Sequence, residues 1–396
     1  MRTRGCTAVV FVMLLLAPLA MAEELVTRVA LQDAGALAEV DLGITTGAVS
    51  PDGQDVLVAG QHGFARLLSA EEAENRELDI ELVTGRNSTI QDISWHPRGN
   101  TALLVGDAGF AMRYDSYDHS ITYVNGTFSV LGHDLTTVTW RPAGDFAYVG
   151  ASDGSVWKFA EHTGFERLEN LGNTPVVDIT CHRNYNVCFI ASKDEGIAVI
   201  DGDHTVSWMG QTSGQTWVSI DCSNPGLNEC MGFASGLKVR VIQINTISPR
   251  QSTVGGLDGI PLPTGEQTDV SRGHDGTGLI HLAPLGLVRY DALAERVFTV
   301  LLPEDAAAWD ATIAGRSLEV VWETGYHRGY FITGFGNVVS FSPATEDVEM
   351  GIMDVLVLGA VAVSVPGVIL GLIYMNSPWL QRKYTELRFG KKKKQN

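Results

Sequence analysis

Between the chain's two ends, apolar and polar positions alternate in short runs, the period of half-buried β-strands. Seven segments share one layout: a strand, a turn holding Pro or Gly, a second strand, a Gly turn and a third strand. DISWHPRGNTALLVGDAGFAMRYD from Asp92 and TVTWRPAGDFAYVGASDGSVWKFA from Thr137 show it plainly. The other copies start at Thr46, Val177, Val218, Asp269 and Glu319. The glycine of the second turn recurs as Gly63, Gly109, Gly154, Gly196, Gly236, Gly286 and Gly336, 40 to 50 residues apart. Several strands per unit at this period predict a seven-bladed β-propeller. No long run of 3.6-residue period occurs there, which excludes a helical solenoid. Trp95, Trp140 and Trp322 hold matching places in the first strands, alternating with Ile93, Val138 and Val320. That pattern predicts packing between blades rather than a ligand cage.

The copies resemble WD40/YVTN-type repeats, best in W-x-P-x-G…V-G…D-G-x-V-W between Trp140 and Trp157. The likeness spans roughly Leu25 to Ser342. The usual Trp-Asp pair is missing, and third strands end instead in Arg113-Tyr114-Asp115 or Arg289-Tyr290-Asp291. The Gly-His pair is mostly absent too. The resemblance therefore implies an architecture rather than a task. It implies that each repeat supplies three inner strands and that the segment before the next repeat supplies the outermost. The seventh copy has no such segment after it, so Leu25–Leu31 is expected to complete the last blade and close the ring. Closure removes exposed sheet edges.

The ends predict an address. Arg2 and Arg4, an apolar run from Ala8 to Leu19 and Ala20-Met21-Ala22 read as a signal peptide over 1–22. Residues 23–345 are the expected propeller ectodomain and 346–354 a linker. Val355–Tyr374 carries no charge and has the length of a membrane span, placed at 355–375. A basic tail, 376–396, follows with Arg382, Lys383, Arg388 and Lys391 to Lys394. The fold class is thus all-β, a seven-bladed propeller with one C-terminal transmembrane helix. The expected localisation is a single-pass membrane protein. Its ectodomain lies outside the cytoplasm, at a cell surface or in an endoplasmic-reticulum lumen, and its tail is cytoplasmic.

Charge sharpens the picture. The whole chain is formally −18, but nine of its 28 basic residues lie in the expected signal peptide and tail. Residues 23–345 keep 19 basic against 41 acidic residues, near −22, with Lys158, Lys193 and Lys238 their only lysines. Such a surface is soluble and excludes general nucleic-acid binding. The expected partners are a membrane or surface protein, with lipid touching the span and the basic tail.

Candidate chemistry is sparse. Cys181/Cys188 and Cys222/Cys230 each bracket the first turn of a repeat, a separation that permits hairpin disulfides. Asn87 and Asn125 open glycosylation sequons. Asp92, Asp178, Asp269 and Glu319 stand first in four inner strands; Thr46, Thr137 and Ser219 hold the place in the others. They form either an acidic ring for a cation or basic segment at the channel mouth, or local hydrogen-bond acceptors. His96, His182 and His274 recur near first turns and read as solvated turn residues. Two long inter-blade segments stand out: Asn245–Thr268, and Leu302–Ser317 with Trp309 beside Asp305 and Asp310 as a contact anchor. No linear catalytic motif or metal-ligand set occurs, and no cofactor is expected. The function expected is a non-catalytic docking or assembly scaffold. Two alternatives stand beside it: a quinoprotein-like or lactonase-like propeller enzyme or ligand binder, and an adhesion or glycan-binding ectodomain.

Overall fold

The structure, a computed structural model, describes residues 29–222, 224–236, 238–257, 265–294, 296–313, 315–344 and 371–390. The chain divides into a unit ending at Ala344 and another from Thr345. The first unit holds seven four-stranded antiparallel sheets in a ring, a seven-bladed β-propeller. We call the strands of each blade a to d, from the axis outward. Strands a are Ile44–Val49, Ile90–Trp95, Leu135–Trp140, Val176–Cys181, Trp217–Asp221, Glu266–Arg272 and Leu318–Gly325 for blades 1 to 7. Each packs against strand a of the next blade, and blade 7 against blade 1. Strand d of blade 7 is Val29–Ala36, from the other end of the chain. It pairs antiparallel with Asn337–Pro343, Ala30 opposite Ser342. The expected closure thus holds, although residues 25–28 of the expected strand lie outside the described residues.

The burial explains the sequence pattern. Second strands lie between two neighbouring blades, so both faces are covered and the alternation disappears. In Asp55–Gly60, Val56, Leu57, Val58 and Ala59 are all fully buried. Burying each large side chain contributes about 1.5–3 kcal/mol. The b–c turn must also pass close under the loop entering the next blade. Gly63 has φ +71°, and a Cβ there would lie 2.0 Å from Arg86 O. Gly109 repeats this, φ +76° and 2.5 Å from Val130 O. A side chain would collide with backbone as well as strain the turn, so the marker glycine follows from the packing of blades.

Both predicted disulfides are present, Cys181–Cys188 and Cys222–Cys230, each bridging the a–b hairpin of one blade. Two of the turn histidines are not solvated as expected. His96 and His182 reach across to the next blade's a–b turn, Nε2 lying 2.8 Å from Gly144 O and 2.9 Å from Leu227 O. His182 is fully buried. His274 is exposed.

The single-pass membrane localisation is corrected. Among the described residues, no helix is long and apolar enough to cross a membrane. The C-terminal unit holds a helix over Pro378–Phe389, capped by the Ser377 hydroxyl. At 1.5 Å per residue twelve residues fall short of the ~30 Å of hydrocarbon. The helix also carries Arg382, Lys383, Glu386 and Arg388. The expected signal peptide and residues 355–370 of the expected span lie outside the described residues.

Candidate functional site: the channel mouth

Every strand a carries a bulge at the same place, where one extra residue opposes strand b. The shifts fall between Ile44/Thr46, Ile90/Asp92, Leu135/Thr137, Val176/Asp178, Trp217/Ser219, Gln267/Asp269 and Leu318/Val320. The register defines two sets of equivalent residues. The first set, just past the bulge, is Thr46, Asp92, Thr137, Asp178, Ser219, Asp269 and Val320. The second, the bulged residues themselves, includes Thr45, Gln91 and Glu319. Glu319 is therefore not a member of the Asp92 ring, as the sequence reading had it. Val320 takes that place.

The same offset turns Trp322 around. Trp95 packs against the preceding blade and donates from Nε1 to Ala48 O at 2.8 Å. Trp322 packs against the following blade and donates to Ala70 O at 3.0 Å. A one-residue slip moves a side chain to the other face.

The ring alternates hydroxyl and carboxylate, and the pairing crosses blades. Asp92 Oδ2 accepts the Val138 N–H at 2.6 Å, and Oδ1 accepts from Thr46 Oγ1 at 3.4 Å. Asp178 Oδ2 accepts from Ser219 Oγ at 2.7 Å and Ile220 N–H at 2.8 Å. Of the local partners expected, glycine-turn amides or neighbouring hydroxyls, the hydroxyls are found; they and the amides of Val138 and Ile220 come from neighbouring blades, while Ile93 N–H donates to Asp92 Oδ1 at 2.7 Å within its own blade. In blade 7 the ring position that Ser219 holds in blade 5 is Val320, whose side chain packs against blade 1, and no hydrogen bond from blade 7 reaches Asp269 among the described residues. Desolvation within the ring pushes Asp92 up to about 7, opposed by the Val138 N–H and reinforced by the charge of Asp178. Desolvation also raises Asp178, against the Ile220 N–H and Ser219 hydroxyl. Asp269 is pushed up to about 8 by desolvation and then by the charge of Asp178, with only its neighbour Val270 donating. Its side chain stays open to the channel, so water tempers the desolvation there.

Beside the ring, at the seam of blades 7, 1 and 2, lies an open cavity of about 470 Å³. The bulge residues Thr45, Gln91 and Glu319 line it, together with Asp41, Gln61, Arg316 and Phe335. Its frame is backbone: Ile44 N–H donates to Gly334 O at 2.7 Å, and Leu42 N–H to Phe335 O at 3.2 Å. Burial raises Glu319, and a bond from Ser317 opposes it. The sequence singled out Glu319 and the segment Leu302–Ser317, but nothing local brings Asp41 and Gln61 to them. Closure of the ring does that.

The other residues singled out from the sequence lie apart. Trp309 ends a short helix, Pro303–Trp309, and is 36% exposed; Asp305 is exposed on the same helix, and Asp310 accepts the Thr312 N–H at 2.8 Å. Asn87 and Asn125 are both exposed. Residues 258–264 of the other long segment lie outside the described residues. Sequence reading missed a buried ion group between blades 6 and 7. There Arg289, 1% exposed, donates to Asp275 Oδ1 at 3.0 Å and to Glu323. Among the described residues, no group of three or more His, Cys, Asp or Glu side chains is placed to hold a metal ion. Compared with known proteins, the chain matches no protein-family model and no curated protein.

Proposed function

We propose that this propeller is a docking platform for a protein partner, seated on the face where each strand d leads into the next strand a. The observation that supports it is a set of exposed apolar side chains in those connections. Val40, Val83, Phe128 and Leu131 are 64, 83, 91 and 65% exposed, and Trp309 shares the face. Apolar groups gathered on the loops of a rigid ring are what a partner covers. The resemblance to WD40/YVTN repeats supports the reading by analogy of architecture alone. The two disulfides suit an oxidising compartment. Affinity capture from a native extract tests the reading. The double variant Val83→Asp/Phe128→Asp should lose a stoichiometric partner. Tyr117→Asp/Ile247→Asp, on the opposite c–d turns, should keep it. Equal retention by both pairs, or no partner on the unaltered protein, would overturn it.

A further inference from the structure

The seam cavity is independent of the docking reading, and its lining is chemically selective. Asp41 and Glu319 supply acceptors; one Asp41 oxygen already takes the Gly43 N–H at 3.0 Å. Gln91 donates from Nε2 to Asp107 at 2.9 Å, which leaves its carbonyl oxygen as an acceptor. Gln61 is exposed and offers both a donor and an acceptor. Arg316 stacks on Phe335, Cζ 4.5 Å from the ring centroid, and forms no ion pair among the described residues. Its N–H groups remain as donors.

These groups discriminate between ligand classes. An apolar ligand would strand several polar side chains without partners, which costs binding. An anion would meet Asp41 and Glu319, with Asp92 close by in the ring. A divalent cation wants six or more oxygens, and the lining has only two carboxylates and one guanidinium. A ligand of low net charge with many hydroxyls satisfies donors and acceptors together. The volume falls within the ~300–1,000 Å³ of small-molecule clefts. The frame is preorganised, because the backbone bonds from Ile44 and Leu42 to blade 7 fix both walls before any ligand arrives.

We infer that the cavity between blades 7, 1 and 2 binds a neutral polyhydroxylated molecule of mono- or disaccharide size, held by Arg316, Glu319, Asp41, Gln61 and Gln91. The bulge of strand a is the device that makes the site. It lifts Glu319 and Gln91 out of the ladder and into the cavity, whereas residues one place further on join the ring.

Saturation-transfer NMR on the full chain tests this. The probes are glucose, galactose, mannose, N-acetylglucosamine, cellobiose and lactose, with inorganic phosphate and free arginine as charged controls. At least one sugar should receive saturation. Its affinity should fall by about tenfold or more in Glu319→Ala and in Arg316→Ala, the loss of one hydrogen bond from a charged group. Gln61→Ala, an exposed position, provides a variant whose folding is not at issue and should weaken binding too. Thermal unfolding of each variant shows whether the ring is intact. Transfer to none of the sugars by folded protein would overturn the inference. So would equal sugar affinity in all three variants, or stronger binding of phosphate or arginine than of any sugar.

Discussion

Blades 4 and 6 carry the same carboxylate in the same register, and their next neighbours treat it differently. Asp178 meets a hydroxyl and an amide from blade 5, Ser219 and Ile220. Asp269 is exposed and receives no hydrogen bond among the described residues from blade 7, where Val320 holds the ring position and packs against blade 1. The first carboxylate ties one blade to the next. The second has its pKa raised, chiefly by desolvation, and has little to tie. A ring position is therefore structural or free according to the following blade.

The largest break in this comparison comes from deletion. Asp178→Ala leaves a hydroxyl and an N–H unpaired and should cost about 2–3 kcal/mol by denaturant unfolding. Asp269→Ala should cost under about 1 kcal/mol, since it releases no cross-blade donor. Equal losses would mean the two positions are alike. Removing the staple of blade 4 with Cys181→Ser/Cys188→Ser should cost about 2 kcal/mol, and blade 6 has no counterpart. A smaller change sharpens the contrast: Val320→Thr puts a hydroxyl at the ring position that Ser219 holds beside Asp178. It should lower the Asp269 pKa and add about 0.5–1.5 kcal/mol above pH 8. An unmoved titration would show that a hydroxyl at this position does not reach the carboxyl.

The substitutions aside, the pH slope reads both carboxylates at once. Asp92 and Asp269 hold their protons in the folded chain to about 7 and about 8, while an unfolded Asp loses its proton near 3.8. Between those values the folded state binds more protons, so stability should fall as pH rises from about 4 to about 8 and then level. Asp269→Asn should flatten the upper part of that fall in a series of melting curves. A slope unchanged by the substitution would place the coupling elsewhere.

Much of the fold was legible because its signals are local. The recurring turn glycine, the alternation of strand a and the spacing of the cysteine pairs each need only a dozen residues. Closure by Val29–Ala36 was legible from a missing strand. The bulge was not, because it inserts a residue without altering composition. Aligning strands a on their tryptophans placed Glu319 with Asp92, yet blade 7 has one residue fewer between bulge and tryptophan. That single residue moved Glu319 from ring to cavity and turned Trp322 to the opposite neighbour. The cavity was hidden for another reason: Asp41, Gln61 and Glu319 meet only when blade 7 closes onto blade 1. The His182 contact and the Arg289–Glu323 pair likewise depend on which turns and strands neighbouring blades bring together.

The most direct test of the ring is a titration. Carboxyl carbons of ¹³C-labelled aspartate, assigned by Asp→Asn substitution, should show Asp269 titrating near 8, above Asp92 near 7. An Asp269 midpoint near 4, or one below that of Asp92, would contradict the claim that blade 7 leaves this carboxylate without a partner.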